Sequence, residues 1–94
     1  AAFAGPRMPH VHIPPALRSL TGGQKVLQVD GRTVREVIDR IDHDHPGFRL
    51  RITAQERLKP GIAVAVGSRI SDLGLLERLE PADELHFVLS VSGG

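Results

Sequence analysis

The sequence predicts an α+β domain in which one main helix packs on one face of a mixed sheet of four to five strands. Three observations predict this class: one strong helix signal at residues 33–47, short alternating runs on both sides of it, and a composition that is 40% hydrophobic but only 3% aromatic. The core must therefore consist mainly of Val, Ile and Leu. A single apolar helix stripe and a single apolar sheet face can bury each other, which makes this the simplest arrangement for the predicted order of elements.

Two strand-like segments precede the helix. The first, HVHIPP, alternates His10 and His12 with apolar residues, which is the period of a half-buried strand, and two prolines end it. ALRSLTGGQ is predicted as a connection. The second strand, KVLQVDG, is expected to direct Val26 and either Leu27 or Val29 into the core before a turn. The two strands can pair as a hairpin.

The segment RTVREVIDRIDHDHPGF carries the clearest helix in the sequence. Thr33 and Glu36 form a capping box, in which each side chain satisfies a backbone N–H that is free at the helix start. Pro46-Gly47 ends the helix, and Phe48 is expected to fold back into the core. Apolar residues at helical spacing give one stripe for burial: Val34, Val37, Ile38 and Ile41.

The residues after the helix give a weaker signal followed by two clear strands. FRLRITAQERLKPG is predicted as an irregular strand and loop around Leu50 and Ile52. IAVAVGSRI reads as a short strand turned by Gly67, and SDLGLLERLE as a short leucine-rich helical turn. ELHFVLSV is then the last strand of the sheet.

Alternation along the last strand separates a buried face from an exposed one. Four apolar residues are expected to face the helix: Leu85, Phe87, Leu89 and Val91. His86, Val88 and Ser90 then face away, which makes Val88 an exposed apolar residue. Such a residue is either part of an interface or one of the scattered apolar residues found on most protein surfaces.

Bulk composition excludes several classes of function. Ninety-four residues suffice for one domain. Twelve Lys and Arg are interspersed with eleven Asp and Glu, so nucleic-acid binding is not expected. The absence of Cys excludes disulfides, thiolate metal sites and cysteine nucleophiles. No apolar run approaches the ~18 residues of a membrane span. We expect a cytoplasmic protein without membrane contact, and we expect residues 1–7, AAFAGPR, to be an expression-vector remnant.

The last residues of the sequence, SVSGG, place two glycines directly after a strand. Glycine has no side chain to pack and costs the most backbone entropy to order. A pair of glycines in this position therefore either has no role or suits a segment whose backbone itself must be handled by another molecule.

Three segments carry a resemblance to a known family: PALRSLTGG, VDGRTVREVIDRIDHDHPGF and LEPADELHFVLSVSGG. They resemble the ubiquitin-like β-grasp sulfur carrier proteins of the MoaD/ThiS family, which includes the small subunit of molybdopterin synthase. The last segment is also similar to the end of ubiquitin. The resemblance covers nearly all of residues 8–94, and it implies a β-grasp domain at 8–91 followed by a flexible tail at 92–94.

The family resemblance also implies a function. The carboxylate of Gly94 would be adenylated by a ubiquitin-activating-type enzyme that uses ATP and Mg²⁺, and then converted to a thiocarboxylate. The sulfur would come from a rhodanese or cysteine desulfurase type of donor and pass to a sulfur-accepting synthase. Gly93 would extend the chain end through a narrow cleft of the partner enzyme. Ser92 would also extend the chain end, but its residue type would matter less. Val88 would contact the activating enzyme. The chain itself would be a co-substrate without a bound cofactor, not an enzyme.

Two alternatives stay open beside the sulfur carrier. The first is a protein modifier of the ubiquitin kind, in which the activated Gly94 is passed to a lysine amine. The second is a β-grasp interaction domain whose glycine pair has no chemical role. The accepting pathway also stays open, because molybdopterin, thiamin, cysteine and specialised metabolites are all served by such carriers. IAVAVGSRI departs from the Asn-rich version of many relatives, and Val88 is smaller than its counterpart, so no single member is implied.

Five histidines raise the question of a metal site. His43 and His45 lie beside aspartates, but their spacing at a helix end does not aim both imidazoles at one point. Histidines there favour interaction with the partial negative charge of the helix C-terminus. His10 and His12 share one strand face and can chelate in principle, yet the sequence implies no third ligand. His86 is predicted to lie at the surface, and no metal site is predicted.

Overall fold

A computed structural model describes residues 8–90 of the chain. Five strands form one mixed sheet in the order β2-β1-β7-β5-β6, and two short strands form a separate hairpin. The helices and strands are β1 His10–His12, a 3-10 helix Pro15–Thr21, β2 Val26–Gln28, α1 Val34–Asp44, α2 Phe48–Ile52, β3 Thr53–Ala54, β4 Arg57–Leu58, β5 Ile62–Val66, β6 Arg69–Ile70, a 3-10 helix Gly74–Leu76 and β7 Glu84–Leu89. The predicted α+β class and the five-stranded sheet are confirmed.

Strand pairing places the last strand at the centre of the sheet. β7 is parallel to β1 on one side and antiparallel to β5 on the other. β1 and β2 form the predicted antiparallel hairpin, and β6 pairs with β5 at the opposite edge. One face of the sheet packs against α1, and we call the other the outer face.

Helix α1 begins as the capping-box pattern predicts. The Oγ1 of Thr33 accepts a hydrogen bond from the backbone N–H of Glu36 at 3.2 Å. The Glu36 carboxylate accepts from the backbone N–H of Arg32 at 2.9 Å, one residue before the position that the usual box would use. Before the helix, Gly31 lies so close to α1 that a Cβ there would stand 2.8 Å from Cγ2 of Val37.

The core lies between α1 and the inner face of the sheet. All four stripe residues of α1 are buried, and Phe48 is fully buried beneath them. The rings of Phe48 and Phe87 meet edge to face with centroids 5.9 Å apart, a favoured geometry for aromatic pairs. The core is otherwise aliphatic, as the composition predicts.

The strand predicted around Leu50 and Ile52 is wrong. Residues Phe48–Ile52 form the short helix α2. Phe48 and Ile52 lie four residues apart and are both buried, whereas Leu50 between them is 74% exposed. A strand would have placed all three on one face, so helical spacing explains this burial pattern.

The prediction for Val26 is also wrong. Val26 is 44% exposed because its partner in the β1–β2 pair is His12, which lies on the outer face. Leu27 pairs with Val11 and packs against the core, and Val29 is buried beyond the strand. The connection predicted after β1 is ordered as a 3-10 helix that ends at Gly22, whose φ of +66° is left-handed.

Candidate functional site on the outer face of the sheet

The central strand β7 separates core residues from a set of outward-facing side chains. Leu85 and Phe87 are buried, and Leu89 packs against the core, as predicted. Glu84, His86 and Val88 alternate with them on the outer face. The predicted inward position of Val91 lies outside the described residues.

Val88 has the position that the alternation predicts. It is 41% exposed and lies opposite Ala63 in the β5–β7 pair. Because β7 pairs with β5 from Leu85 to Leu89, its backbone holds Val88 in a fixed position on the face. The expected role of Val88 in partner binding stays a prediction.

The end of β7 is tied to the start of β5. The backbone N–H of Ser90 donates to the carbonyl oxygen of Gly61 at 2.7 Å, and the Ser90 hydroxyl donates to the same oxygen at 3.2 Å. Gly61 has a φ of +87°, and a Cβ there would lie 3.3 Å from Oγ of Ser90. These contacts fix the last described residue, and the remaining predicted site residues, Ser92, Gly93 and Gly94, lie outside the described residues.

Three histidines and one carboxylate meet on the outer face where β1 and β7 pair. In the parallel register, His10 lies opposite Glu84 and His12 opposite His86. The imidazoles of His12 and His86 stack with centroids 4.2 Å apart and 11° between their planes. Nε2 of His12 also contacts Oε1 of Glu84.

The hydrogen bond from His12 lowers the pKa of Glu84, and the nearby charges of the three histidines act in the same direction. His10 is oriented by Gln28, whose Nε2 lies 2.9 Å from Nε2 of His10. If the amide donates there, the proton of His10 is on Nδ1. That atom is buried and has no hydrogen-bond partner within the described part of the chain.

Sequence reasoning missed this cluster because the parallel register between the first and last strands is not visible in either strand alone. Each strand carries a partial signal, since HVH and ELH both place two polar residues on one face. The missing information was that β1 lies beside β7, which brings Glu84 and His86 to the two histidines.

The buried carboxylate of Glu77 forms hydrogen bonds at the β6 edge of the sheet. Glu77 receives hydrogen bonds from Nη2 of Arg69 at 3.0 Å and from the Ser71 hydroxyl at 2.6 Å. These bonds lower the pKa of Glu77, and Arg69 contributes the larger effect. The carbonyl of Glu77 accepts from the first N–H of α1, at Val34. The network therefore joins this edge to the helix and serves stability.

The fold, with one helix packed across a five-stranded mixed sheet whose last strand is central, defines a β-grasp, ubiquitin-like protein. The family model of the ThiS family matches residues 11–94. The chain belongs to the ThiS family. No curated protein sequence matches it significantly.

Solved structures agree with this assignment. A chain of the Amycolatopsis orientalis BexX/CysO complex is 34% identical, with a TM-score of 0.85 over 92% of this chain and 99% of that chain. Mycobacterium tuberculosis CysO is 25% identical, with a TM-score of 0.81 over 88% and 99%. The small archaeal modifier protein 1 from Methanosarcina acetivorans, at 21% identity and a TM-score of 0.77 over 97% and 100%, shares the fold.

The family and these neighbours define a sulfur carrier or ubiquitin-like modifier. Small carriers of this kind are generally not catalysts. Within residues 8–90, no helix is both long enough and apolar enough to cross a membrane.

Proposed function

We propose that this chain is a sulfur carrier whose C-terminal glycine, Gly94, is adenylated and then converted to a thiocarboxylate. The observation that carries the proposal is the ThiS family match, which extends through residue 94 and so includes Gly93 and Gly94.

The chemistry follows from the weak reactivity of a carboxylate. ATP converts it to an acyl adenylate and pyrophosphate, which gives the acyl carbon a good leaving group. The terminal sulfur of a donor persulfide attacks that carbon, and AMP leaves with one carboxylate oxygen. A thiol then cleaves the sulfur–sulfur bond of the resulting acyl disulfide and releases the thiocarboxylate, while a new disulfide forms on the donor side.

The domain supplies a rigid base for this chemistry. The tie between Ser90 and Gly61 fixes the point from which the chain continues. Gly93 and Gly94 carry no Cβ, so they fit a cleft that admits backbone alone. Ser92 lengthens the segment that carries Gly94 to the cleft. Val88 on the outer face is the proposed anchor for the activating enzyme.

The proposed partners are an adenylating enzyme of the ubiquitin-activating type, a sulfur donor of the rhodanese or cysteine desulfurase type, and a sulfur-accepting synthase. ATP and Mg²⁺ are used by the activating enzyme, and the carrier itself binds no cofactor in this function. A location in the cytoplasm is part of the proposal. Support for partner binding comes from the similar chain in the BexX/CysO complex, since that structure contains a second protein. Molybdopterin, thiamin and cysteine synthesis are the candidate pathways.

A second candidate is a ubiquitin-like modifier, in which a lysine amine attacks the activated carbonyl of Gly94 and forms an isopeptide bond. Fold similarity to a protein named as a small archaeal modifier favours keeping this candidate. Both candidates share the adenylation step and differ in the nucleophile that follows.

Intact mass spectrometry tests the proposal. The chain is incubated with ATP, Mg²⁺, a ubiquitin-activating-type enzyme and a persulfide donor. We expect a mass gain equal to the exchange of one oxygen for sulfur, and no gain when the chain is extended beyond Gly94. Isopeptide adducts in cell extract without this gain would favour the modifier. Unchanged function after removal of Gly93 and Gly94 would favour an interaction domain without tail chemistry.

A further inference from the structure

We propose that His12, Glu84 and His86 form a binding site for one zinc-class divalent metal ion on the outer face of the sheet. One ligand atom from each residue lies within 4.8 Å of the other two. Two imidazoles and one carboxylate form a donor set that Zn²⁺ uses in proteins. The site does not depend on the chemistry proposed for Gly94, so either proposal can fail without the other.

The sheet holds the three ligands on rigid backbone. His12 and His86 are direct partners in the parallel β1–β7 register, and Glu84 precedes His86 by two residues on the same face. Both strands are interior strands with a bonded neighbour on each side. The backbone therefore holds the three side chains beside one another on one face, and side-chain rotation is the movement that would close the site.

The size of that rotation can be bounded. Bonds of ~2.0–2.1 Å in a tetrahedral site place the ligand atoms about 3.3 Å from one another. Each distance between the ligand atoms is at most 4.8 Å, so none has to shorten by more than about 1.5 Å. The imidazoles must also leave their stacked arrangement, with planes 11° apart, so that both aim a nitrogen at one point. His12 and His86 are half-buried and Glu84 is exposed, so these side chains have room to rotate.

The carboxylate of Glu84 favours a cation in this position. This carboxylate is the acidic group on a patch that otherwise holds His10, His12 and His86. A nitrogen that binds a metal ion carries no proton, so the ion would take the place of the hydrogen bond between Nε2 of His12 and Glu84. A simple ion pair between His12 and Glu84 accounts for their contact, but it assigns no role to His86, which stacks on His12.

His10 fits the role of a positioning residue behind the carboxylate. Its Nδ1 lies 3.8 Å from Oε2 of Glu84 and has no hydrogen-bond partner in the described part of the chain. A small movement would let this N–H donate to the carboxylate and orient it toward the metal, as groups behind metal ligands commonly do. Three protein ligands leave a fourth position for water or a partner side chain.

Calorimetric titration of the full 94-residue chain with ZnCl₂ tests the site, with Co²⁺ absorption as a second measure of tetrahedral coordination. We expect one ion per chain, and at least about a tenfold loss of affinity in His12→Gln, His86→Gln and Glu84→Gln. The double variant His43→Gln/His45→Gln is the matched control, because it removes two histidines at the end of α1, and it should bind as the wild type does. His10→Gln should cause a smaller loss than His86→Gln.

NMR of the imidazole resonances locates the ion directly. Zn²⁺ should shift the signals of His12 and His86 and leave those of His43 and His45 in place, and acidic pH should weaken binding because protons compete. Absence of one-to-one binding by the wild type would overturn the proposal. So would unchanged affinity in the His12→Gln and His86→Gln variants, or loss of binding in the His43→Gln/His45→Gln control alone. Thermal unfolding of each variant checks that the domain remains folded.

Discussion

Val88 lies directly opposite Ala63 in the antiparallel β5–β7 pair, and both side chains are on the outer face of the sheet. The alanine side chain ends at its Cβ, so it does not cover the valine methyl groups. Along its own strand, Val88 is flanked on this face by His86 and Ser90, which are polar. Val88 is therefore an exposed apolar side chain with polar neighbours along its own strand, and it shares the outer face with the exposed apolar residues Val26 and Ile70. Its fixed place on the strand suits an anchor for a shallow pocket.

If Val88 is such an anchor, Val88→Asp should weaken binding to the activating enzyme by about 1–3 kcal/mol, because a buried methyl contact is replaced by a desolvated charge. Leu50→Asp is the matched control, since Leu50 is also exposed but belongs to α2. Calorimetry with the purified enzyme measures both variants. Equal affinities for the wild type and Val88→Asp would make Val88 an ordinary exposed residue.

Gly94→Ala should leave the fold intact while blocking activation, because the added Cβ crowds the cleft that must admit the chain end. Thiocarboxylate formation by intact mass is the measurement, and circular dichroism checks the fold. Ser92→Ala is the control and should retain most activity, since position 92 already carries a side chain. Full activation of Gly94→Ala would contradict the requirement for bare backbone.

Gly31→Ala should destabilise the domain by about 1–3 kcal/mol, because the new methyl group overpacks the start of α1. It would meet Cγ2 of Val37 at 2.8 Å and the backbone nitrogen of Val37 at 3.0 Å, and Val37 is fully buried. Urea denaturation measures the change. The exposed neighbour Asp30→Ala is the control and should change the unfolding free energy by less than about 0.5 kcal/mol. Equal stability of Gly31→Ala and wild type would show that the turn shifts freely.

Stability should depend on pH through Glu77. Its pKa is lowered in the folded state from the ordinary 4.5, chiefly by the hydrogen bond from Arg69. A carboxyl group of this kind stabilises the fold above its unfolded pKa, and the contribution is lost as the pH falls through the folded pKa.

The wild type should therefore exceed Glu77→Gln in free energy of unfolding at neutral pH, with a gap that narrows below about pH 4.5. Denaturation at a series of pH values measures the gap. Glu80→Gln, at an exposed position, should differ less from the wild type in free energy of unfolding, and this difference should change less with pH. A gap for Glu77→Gln that does not change with pH would exclude the carboxylate charge as its cause.

The sequence predicted those elements whose local signals agree with their packing. The capping residues and apolar stripe of α1 specify one helix with one buried face, and the alternation of the last strand correctly exposes Val88. The resemblance added the β-grasp topology, which the family match and the structures then confirmed.

Features that depend on long-range pairing could not be predicted in the same way. Nothing within KVLQVDG shows that His12 is the partner of Val26, so the sequence alone predicts an inward Val26. The helix α2 was missed because Phe48, Leu50 and Ile52 also fit strand alternation, and only burial distinguishes the two. The histidine cluster depends on the register between residues 10–12 and 84–86, which lie at opposite ends of the sequence.

The parallel arrangement of β1 and β7 also has a mechanical consequence. The chain enters the sheet at the start of β1 and leaves it at the end of β7, and these adjacent strands run in the same direction. A force applied to the two ends therefore slides the strands past each other and loads their hydrogen bonds together in shear. We expect strong resistance to forced extension. An unfolding enzyme that pulls on either end of this protein would have to break the hydrogen bonds between β1 and β7 in one step.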